Sequence, residues 1–164
     1  MTPDDPILSI RNLTISLPAG GDRPNAVSHL SLEIKKNQIL CIVGESGSGK
    51  SITSFATMGL LPKALAVSSG EIHFEGRDVL KLSPNEHAAL RGARMGMIFQ
   101  EPMTSLNPVL TIGEQVAEAF RLQRGLKGSA ARSAALEALE RVRIPDAARR
   151  LRYFPHQLSG GMLQ

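Results

Sequence analysis

Tryptophan is absent from this chain, and tyrosine and cysteine occur once each among 164 residues. Five phenylalanines complete the aromatic set, so the core has to be built from aliphatic side chains. A single cysteine excludes an internal disulfide. Cys41 sits inside an apolar run, where it reads as small buried filler rather than as a reactive thiol. No stretch approaches the roughly 18 consecutive apolar residues of a membrane-spanning helix. The first residues, with Pro3, Asp4, Asp5 and Pro6, lack the basic-then-apolar pattern of a secretory signal, and a reducing cytosol is expected. There is no long basic block and no aromatic stacking platform. The net charge of +4 suits a phosphate ligand or an anionic membrane surface but does not call for nucleic acid. No internal repeat is visible. The length suits one domain with a possible subdomain.

What is present centres on residues 44–51, GESGSGKS, which fit G-x-x-x-x-G-K-S at every fixed position. The apolar segment 39–43 precedes it and reads as a buried strand. A helical pattern with Ile52, Phe55, Ala56 and Leu60 on one face follows. Strand, glycine-rich loop and helix form the setting of a phosphate site. Gly44, Gly47 and Gly49 let the backbone curl, so that N–H groups, including those of Glu45, Ser46 and Ser48, can meet phosphate oxygens. A helix starting near Gly49 adds its positive end. Lys50 is a mobile point charge for the outer phosphates, and the Ser51 hydroxyl is placed to ligate magnesium, with Ile52 next along the helix.

Around this loop the chain reads as follows. Residues 7–17 alternate like a strand, with a break near Arg11 and Asn12. Residues 18–24 form a loop, and 27–34 a second strand. Lys35, Lys36 and Asn37 turn into the segment 39–43. Residues 68–70 read as a turn, 71–74 as a strand, and Glu75 and Gly76 as another turn. Ser83, Pro84 and Glu86 announce a helix running to about Arg91. Residues 95–99 read as a central strand ending at Gln100. Beyond that the chain is expected to be almost all helix. Thr111 and Glu114 cap one helix, residues 129–142 form a second, and 146–151 a short third. Arg141, Arg143, Arg149, Arg150 and Arg152 read as a solvated face.

The last seven residues, LSGGMLQ, place Ser159 before Gly160 and Gly161, a helix cap whose open N–H groups could meet an anion. A phosphate loop, a glutamine ending a strand some fifty residues later, a helical stretch and then LSGG is an order that resembles the ATP-binding subunits of ABC transporters. The stretches MIFQEPMTSLNPV and YFPHQLSGGM resemble the oligopeptide, dipeptide, nickel and glutathione importer branch. GEQVAE and VRIPDA are similar to glutathione-importer subunits in particular. The resemblance implies an α/β P-loop NTPase fold of the ABC type, with a small antiparallel β subdomain and a helical subdomain. Residues 1–100 would hold the N-terminal part of the ATP-binding core and 101–164 the helical part.

By that resemblance residues 44–52 hold ATP and magnesium, with Lys50 on the phosphates. Gln100 touches the magnesium or the attacking water. Ser159, Gly160 and Gly161 meet the γ-phosphate of an ATP held mainly by a second ATP-binding subunit. Transmembrane permease subunits dock on the helical part, at the cytoplasmic face of the bacterial membrane, and an extracytoplasmic solute-binding protein acts indirectly. Two departures stand out. Residues 18–29 hold no aromatic ring to stack on adenine, leaving only His29, which reads as a surface histidine. The family's Asp-Glu strand and switch histidine, expected after the signature, are not found, so an N-terminal fragment is expected. The alternative function is an ATP-binding module without hydrolysis. ABC-type ATPases of DNA repair or chromosome structure usually carry a long insertion, coiled coil or zinc cysteines before the signature, and none is seen.

Overall fold

A computed structural model describes residues 5–20, 23–99 and 105–163. The chain divides into two compact units, Met1–Arg91 and Gly92–Gln164.

The first unit is built on a four-stranded antiparallel sheet of order β2-β1-β3-β4. Its strands are β1 (Pro6–Ser16), β2 (Asn25–Lys35), β3 (Ala66–Phe74) and β4 (Arg77–Asp78). The break read near Arg11 is a β-bulge. Between the pairs Ile10↔Leu32 and Leu13↔Leu30, β1 advances one residue more than β2, and Asn12 takes a left-handed φ of 47°. The extra residue shifts the alternation by one. Ile10, Leu13 and Ile15 are all fully buried, although odd and even positions would otherwise face opposite ways. The bulge's displaced N–H is satisfied by the Ser31 hydroxyl at 2.9 Å. A second bulge on β2 puts His29 at φ 50°, exposed, with its N–H donating to Thr14 Oγ1 at 3.2 Å.

Residues 68–70, expected as a turn, lie inside β3 instead. Gly70 faces the β1 bulge, and its φ is +97°. A Cβ there would stand 2.6 Å from the Asn12 carbonyl oxygen and from Leu13 Cα. Glycine is thus demanded by the neighbouring strand and not by a change of direction. The turn at Glu75 and Gly76 does form. Both residues have positive φ, 49° and 79°, as a two-residue type I′ hairpin requires.

Helix α1 (Lys50–Thr57) follows the glycine-rich loop, burying Thr53 and Ala56. Helix α2 (Pro84–Ala93) opens on the expected capping box. Ser83 donates through both N–H and Oγ to Glu86 Oε2, at 2.9 and 2.8 Å, and Glu86 N–H returns to Ser83 Oγ at 3.4 Å. Arg91 on α2 donates to the Met58 carbonyl at 2.8 Å, supplying the cation that α1 lacks at its own C-terminus.

Two expected strands do not form. Segments 39–43 and 95–99 are extended coil, with Ile39, Val43 and Ile98 at least 90% exposed. Apolar content favours a buried strand, but a strand exists only by hydrogen bonding to neighbours, and among the described residues neither segment pairs. Cys41 lies in the first segment and is therefore exposed, not buried.

The second unit is helical: α3 (Ile112–Arg124), α4 (Gly128–Arg141), α5 (Ala147–Arg150) and α6 (Gly160–Leu163). The α3–α4 hairpin closes through small residues, with Ala117, Ala131 and Ala135 buried against Leu151. Gly125 ends α3 in the left-handed conformation, φ 64°, so the linker is shorter than expected and α4 begins at Gly128. The first turn of α3 is fully tied down. Ile112 and Gly113 N–H donate to the Tyr153 and Leu151 carbonyls at 2.8 and 2.9 Å, and Glu114 N–H to Thr111 Oγ1 at 3.3 Å. Among the described residues no helix is long and apolar enough to cross a membrane.

Two expectations follow. Gly70→Ala should lower unfolding free energy in urea by on the order of 2–3 kcal/mol, against about 1 kcal/mol for Gly76→Ala, whose φ is also positive but whose Cβ meets nothing. The second concerns pH. Hydrogen bonds from the Ser83 N–H, then from its hydroxyl, hold the Glu86 carboxyl below the ordinary glutamate range, with Arg77 adding to this. A lowered folded pKa stabilises above the unfolded value and is lost as pH falls through the folded one. Glu86→Gln should therefore reduce the stability lost between about pH 6 and pH 3, read by thermal unfolding at each pH.

Candidate phosphate-binding site

Residues 44–49 join the coil segment 39–43 to α1. Two of the loop's glycines are conformationally obligatory, with φ of 80° at Gly47 and 90° at Gly49. Gly49 is also pressed against β2. A Cβ on it would lie 2.7 Å from the Ala26 carbonyl oxygen and 2.8 Å from Val27 Cγ2. That approach fixes where α1 begins. Gly49 is the N-cap of α1 and contributes no side-chain cap, and no acidic residue lies in the first turn. The helix therefore presents uncompensated N–H groups at the loop. Gly44 sits where a Cβ would be 2.8 Å from Ser48 Oγ, so the loop is closed on itself.

Lys50 folds back over this loop. Its Nζ donates to the Gly44 carbonyl at 2.6 Å, the Glu45 carbonyl at 2.7 Å and Ser48 Oγ at 3.0 Å. The ammonium is thus held by three oxygens at the loop, and an arriving phosphate oxygen competes for the same donors. Glu45, Ser46, Ser48 and Ser51 are exposed, and Ile52 is half-buried. Thr53 buries its hydroxyl by donating to the Gly49 carbonyl at 3.0 Å. The loop and start of α1 thus leave Gly44, Glu45, Ser46, Gly47, Ser48 and Ser51 exposed, with Lys50 half-buried and Gly49 buried. The fit to a nucleotide phosphate is good: curled glycines, an open helix N-terminus, one mobile cation and an exposed hydroxyl. Among the described residues no group of three His, Cys, Asp or Glu side chains is placed to hold a metal ion.

One participant escaped the sequence reading. Arg23 Nη2 donates to the Gly47 carbonyl at 2.8 Å and ties the β1–β2 connection to the phosphate loop. An arginine in a proline- and glycine-rich loop carries no pattern that would have marked it.

In the second unit, the LSGG stretch starts α6. The Ser159 carbonyl accepts from the Met162 and Leu163 N–H groups at 3.0 and 3.1 Å. Ser159, Gly160 and Gly161 are exposed, and a Cβ on either glycine would meet nothing within 4 Å. A short 3-10 turn, Pro155–Gln157, leads in, closed by Gln157 Oε1 accepting from Phe154 N–H at 2.8 Å. Gln115, inside GEQVAE, clamps the preceding loop: its Oε1 accepts from Asn107 N–H at 2.8 Å, and its Nε2 donates to the Asn107 and Leu110 carbonyls. Gln100 lies outside the described residues.

A glycine-rich loop capped by a helix, with Lys50 and Ser51 at its start, defines the P-loop class of phosphate-binding domain. The chain belongs more narrowly to the ABC transporter family, whose description matches residues 27–164. It is 46% identical over 159 residues to the dipeptide transport ATP-binding protein DppD of Bacillus subtilis, covering 96% of this chain and 48% of that protein. It is also 46% identical over 170 residues to the glutathione import ATP-binding protein GsiA of Pectobacterium atrosepticum, covering all of this chain and 27% of that one. Among solved structures, the ATP-binding cassette MJ0796, in a dimeric post-hydrolysis state bound to ADP and Pi, matches with a TM-score of 0.78 at 28% identity. That match covers 95% of this chain and 65% of the other. The chain spans about half the length, 48%, of the first of these curated relatives.

Gly49→Ala is expected to weaken ATP binding by about 100-fold or more in calorimetric titration, because α1 must back away from Ala26. Gly47→Ala, whose Cβ would meet only Arg23 Nη2 at 3.9 Å, should weaken it less.

Proposed function

We propose that this chain is part of the ATP-binding subunit of an ABC importer, coupling ATP binding and hydrolysis to uptake of peptides or a related small solute across the cytoplasmic membrane. The observation that carries this is the approach of Gly49 to the Ala26 carbonyl, which places a curled, open N–H loop at the head of α1. The names of the relatives, a dipeptide transport and a glutathione import ATP-binding protein, support the importer branch.

In this reading residues 44–49 bind the ATP phosphates through backbone N–H groups. Lys50 exchanges its contacts with Gly44, Glu45 and Ser48 for phosphate oxygens and meets the outer charge. The exposed Ser51 hydroxyl would hold magnesium, and the ion when bound would supply positive charge against the phosphates. By the family resemblance Gln100 would touch the magnesium or the attacking water. Ser159, Gly160 and Gly161 face an ATP held mainly by a second ATP-binding unit, identical or paralogous. The fit is physical: neither glycine has a positive φ and neither is crowded within the chain, so an approach from outside accounts for them. The dimeric form of the MJ0796 cassette supports pairing of two such units. Permease subunits would dock on the helical unit, and a solute-binding protein would act through them, with the chain held peripherally at the cytoplasmic face. Closure of two units around ATP would perform the transport work.

The test uses the full-length protein. Magnesium-dependent ATP hydrolysis should fall by about 100-fold or more in Lys50→Ala, measured as phosphate release. Unchanged turnover in that variant overturns the proposal.

A further inference from the structure

Gly49 fixes where α1 begins, but it does not fix the peptide that joins Gly47 to Ser48. Gly47 has no Cβ and stands at φ 80°, so the peptide after it can turn over at little steric cost. The two orientations are not equivalent for a phosphate. In a trans peptide the C=O and N–H groups point opposite ways. One orientation offers the loop an N–H donor, and the other offers a carbonyl oxygen that repels an anion.

Arg23 holds the first. From the connection between β1 and β2, its Nη2 donates to the Gly47 carbonyl at 2.8 Å. On the other side of the same peptide, the Ser48 N–H donates to the Glu45 carbonyl at 3.3 Å. Lys50 Nζ donates to that carbonyl too, at 2.7 Å, and to Ser48 Oγ at 3.0 Å. The Ser48 N–H and the ammonium therefore converge on one oxygen, where an arriving phosphate oxygen meets both donors. The 3.3 Å contact is long for an N–H donor and is readily given up. Arg23 makes no other side-chain hydrogen bond or ion pair among the described residues. A cation bonded to a carbonyl also polarises the amide, which strengthens its N–H as a donor.

We propose that Arg23 is a positioning residue for the nucleotide. It keeps the Gly47 carbonyl turned outward and so keeps the Ser48 N–H turned to the phosphates, without touching the nucleotide itself. This rests on the reading of residues 44–51 as an ATP phosphate loop.

The experiment measures magnesium-dependent phosphate release by the full-length protein carrying Arg23→Met, which keeps a long side chain and removes the donors. KM for ATP should rise about tenfold, the worth of one hydrogen bond from a charged donor, with kcat changed by less than about twofold. Arg23→Lys, which can still donate to the carbonyl, should recover most of the loss. The ratio of variant to parent KM should hold steady from about 50 to about 300 mM NaCl, because the bond lies within the protein. The thermal midpoint of Arg23→Met should match the parent's. Lys50→Ala, run in parallel, separates the two levels. Unchanged turnover there removes the functional reading and this proposal together, whereas lost turnover there with a parental KM in Arg23→Met overturns this proposal alone. Equal loss in Arg23→Met and Arg23→Lys, or a lowered thermal midpoint that tracks the loss, also overturns it. A KM ratio that falls toward one as salt rises overturns it in favour of direct charge contact between Arg23 and the nucleotide.

Discussion

The contact that the phosphate site depends on is steric and not ionic: Gly49 lies against the Ala26 carbonyl of β2. Lys50 makes three short hydrogen bonds in the loop, but such exposed bonds are each worth only about 1 kcal/mol net. Contacts of that size can be exchanged for a ligand's oxygens without loss of the loop. A side chain at 2.7 Å from a backbone oxygen cannot be absorbed in that way, and the start of α1 would have to move. The shape of the loop is therefore written in backbone packing, which leaves its one cation free to respond.

That packing is itself anchored in the sheet. β2 holds its register on β1 through a bulge at Asn12, and β3 accommodates the same bulge with Gly70. At the other end of α1, Arg91 caps Met58, and Gly59 leaves room for the His87 ring, which a Cβ would approach to 2.4 Å. The helix that carries Lys50 and Ser51 is thus gripped at both ends by glycines that admit a neighbour.

These dependencies explain what could be read from the sequence. The capping box at Ser83 and Glu86, the Glu75-Gly76 hairpin and the break near Arg11 are local signals, each decided within a few residues, and each has its structural counterpart. Gly70 was legible as special but not for its reason, because a turn glycine and one opposite a bulge look alike in one dimension. Segments 39–43 and 95–99 declared their apolar character correctly. Their strand state depends on ladder partners that no local pattern encodes, and Cys41 was misplaced with them. The links made by Arg23 and Gln115 were invisible, since they rest on where long side chains reach. Gln100 falls outside the described residues.

Glycines separate the two ends of the inferred ATP site in physical terms. Gly49 and Gly70 are required by neighbours within the chain, and Gly76 and Gly125 by positive φ at a turn and a helix end. Gly160 and Gly161 meet neither condition. Their φ is not positive, and the space where a Cβ would stand is empty. Glycine at the start of a helix costs about 1 kcal/mol or less relative to alanine, yet two in succession gain nothing locally. What they supply is bare backbone N–H at an exposed helix start. The phosphate loop closes on its own lysine, whereas among the described residues Ser159, Gly160 and Gly161 have no such side-chain partner. The proposed sharing of the site between two chains would account for that asymmetry.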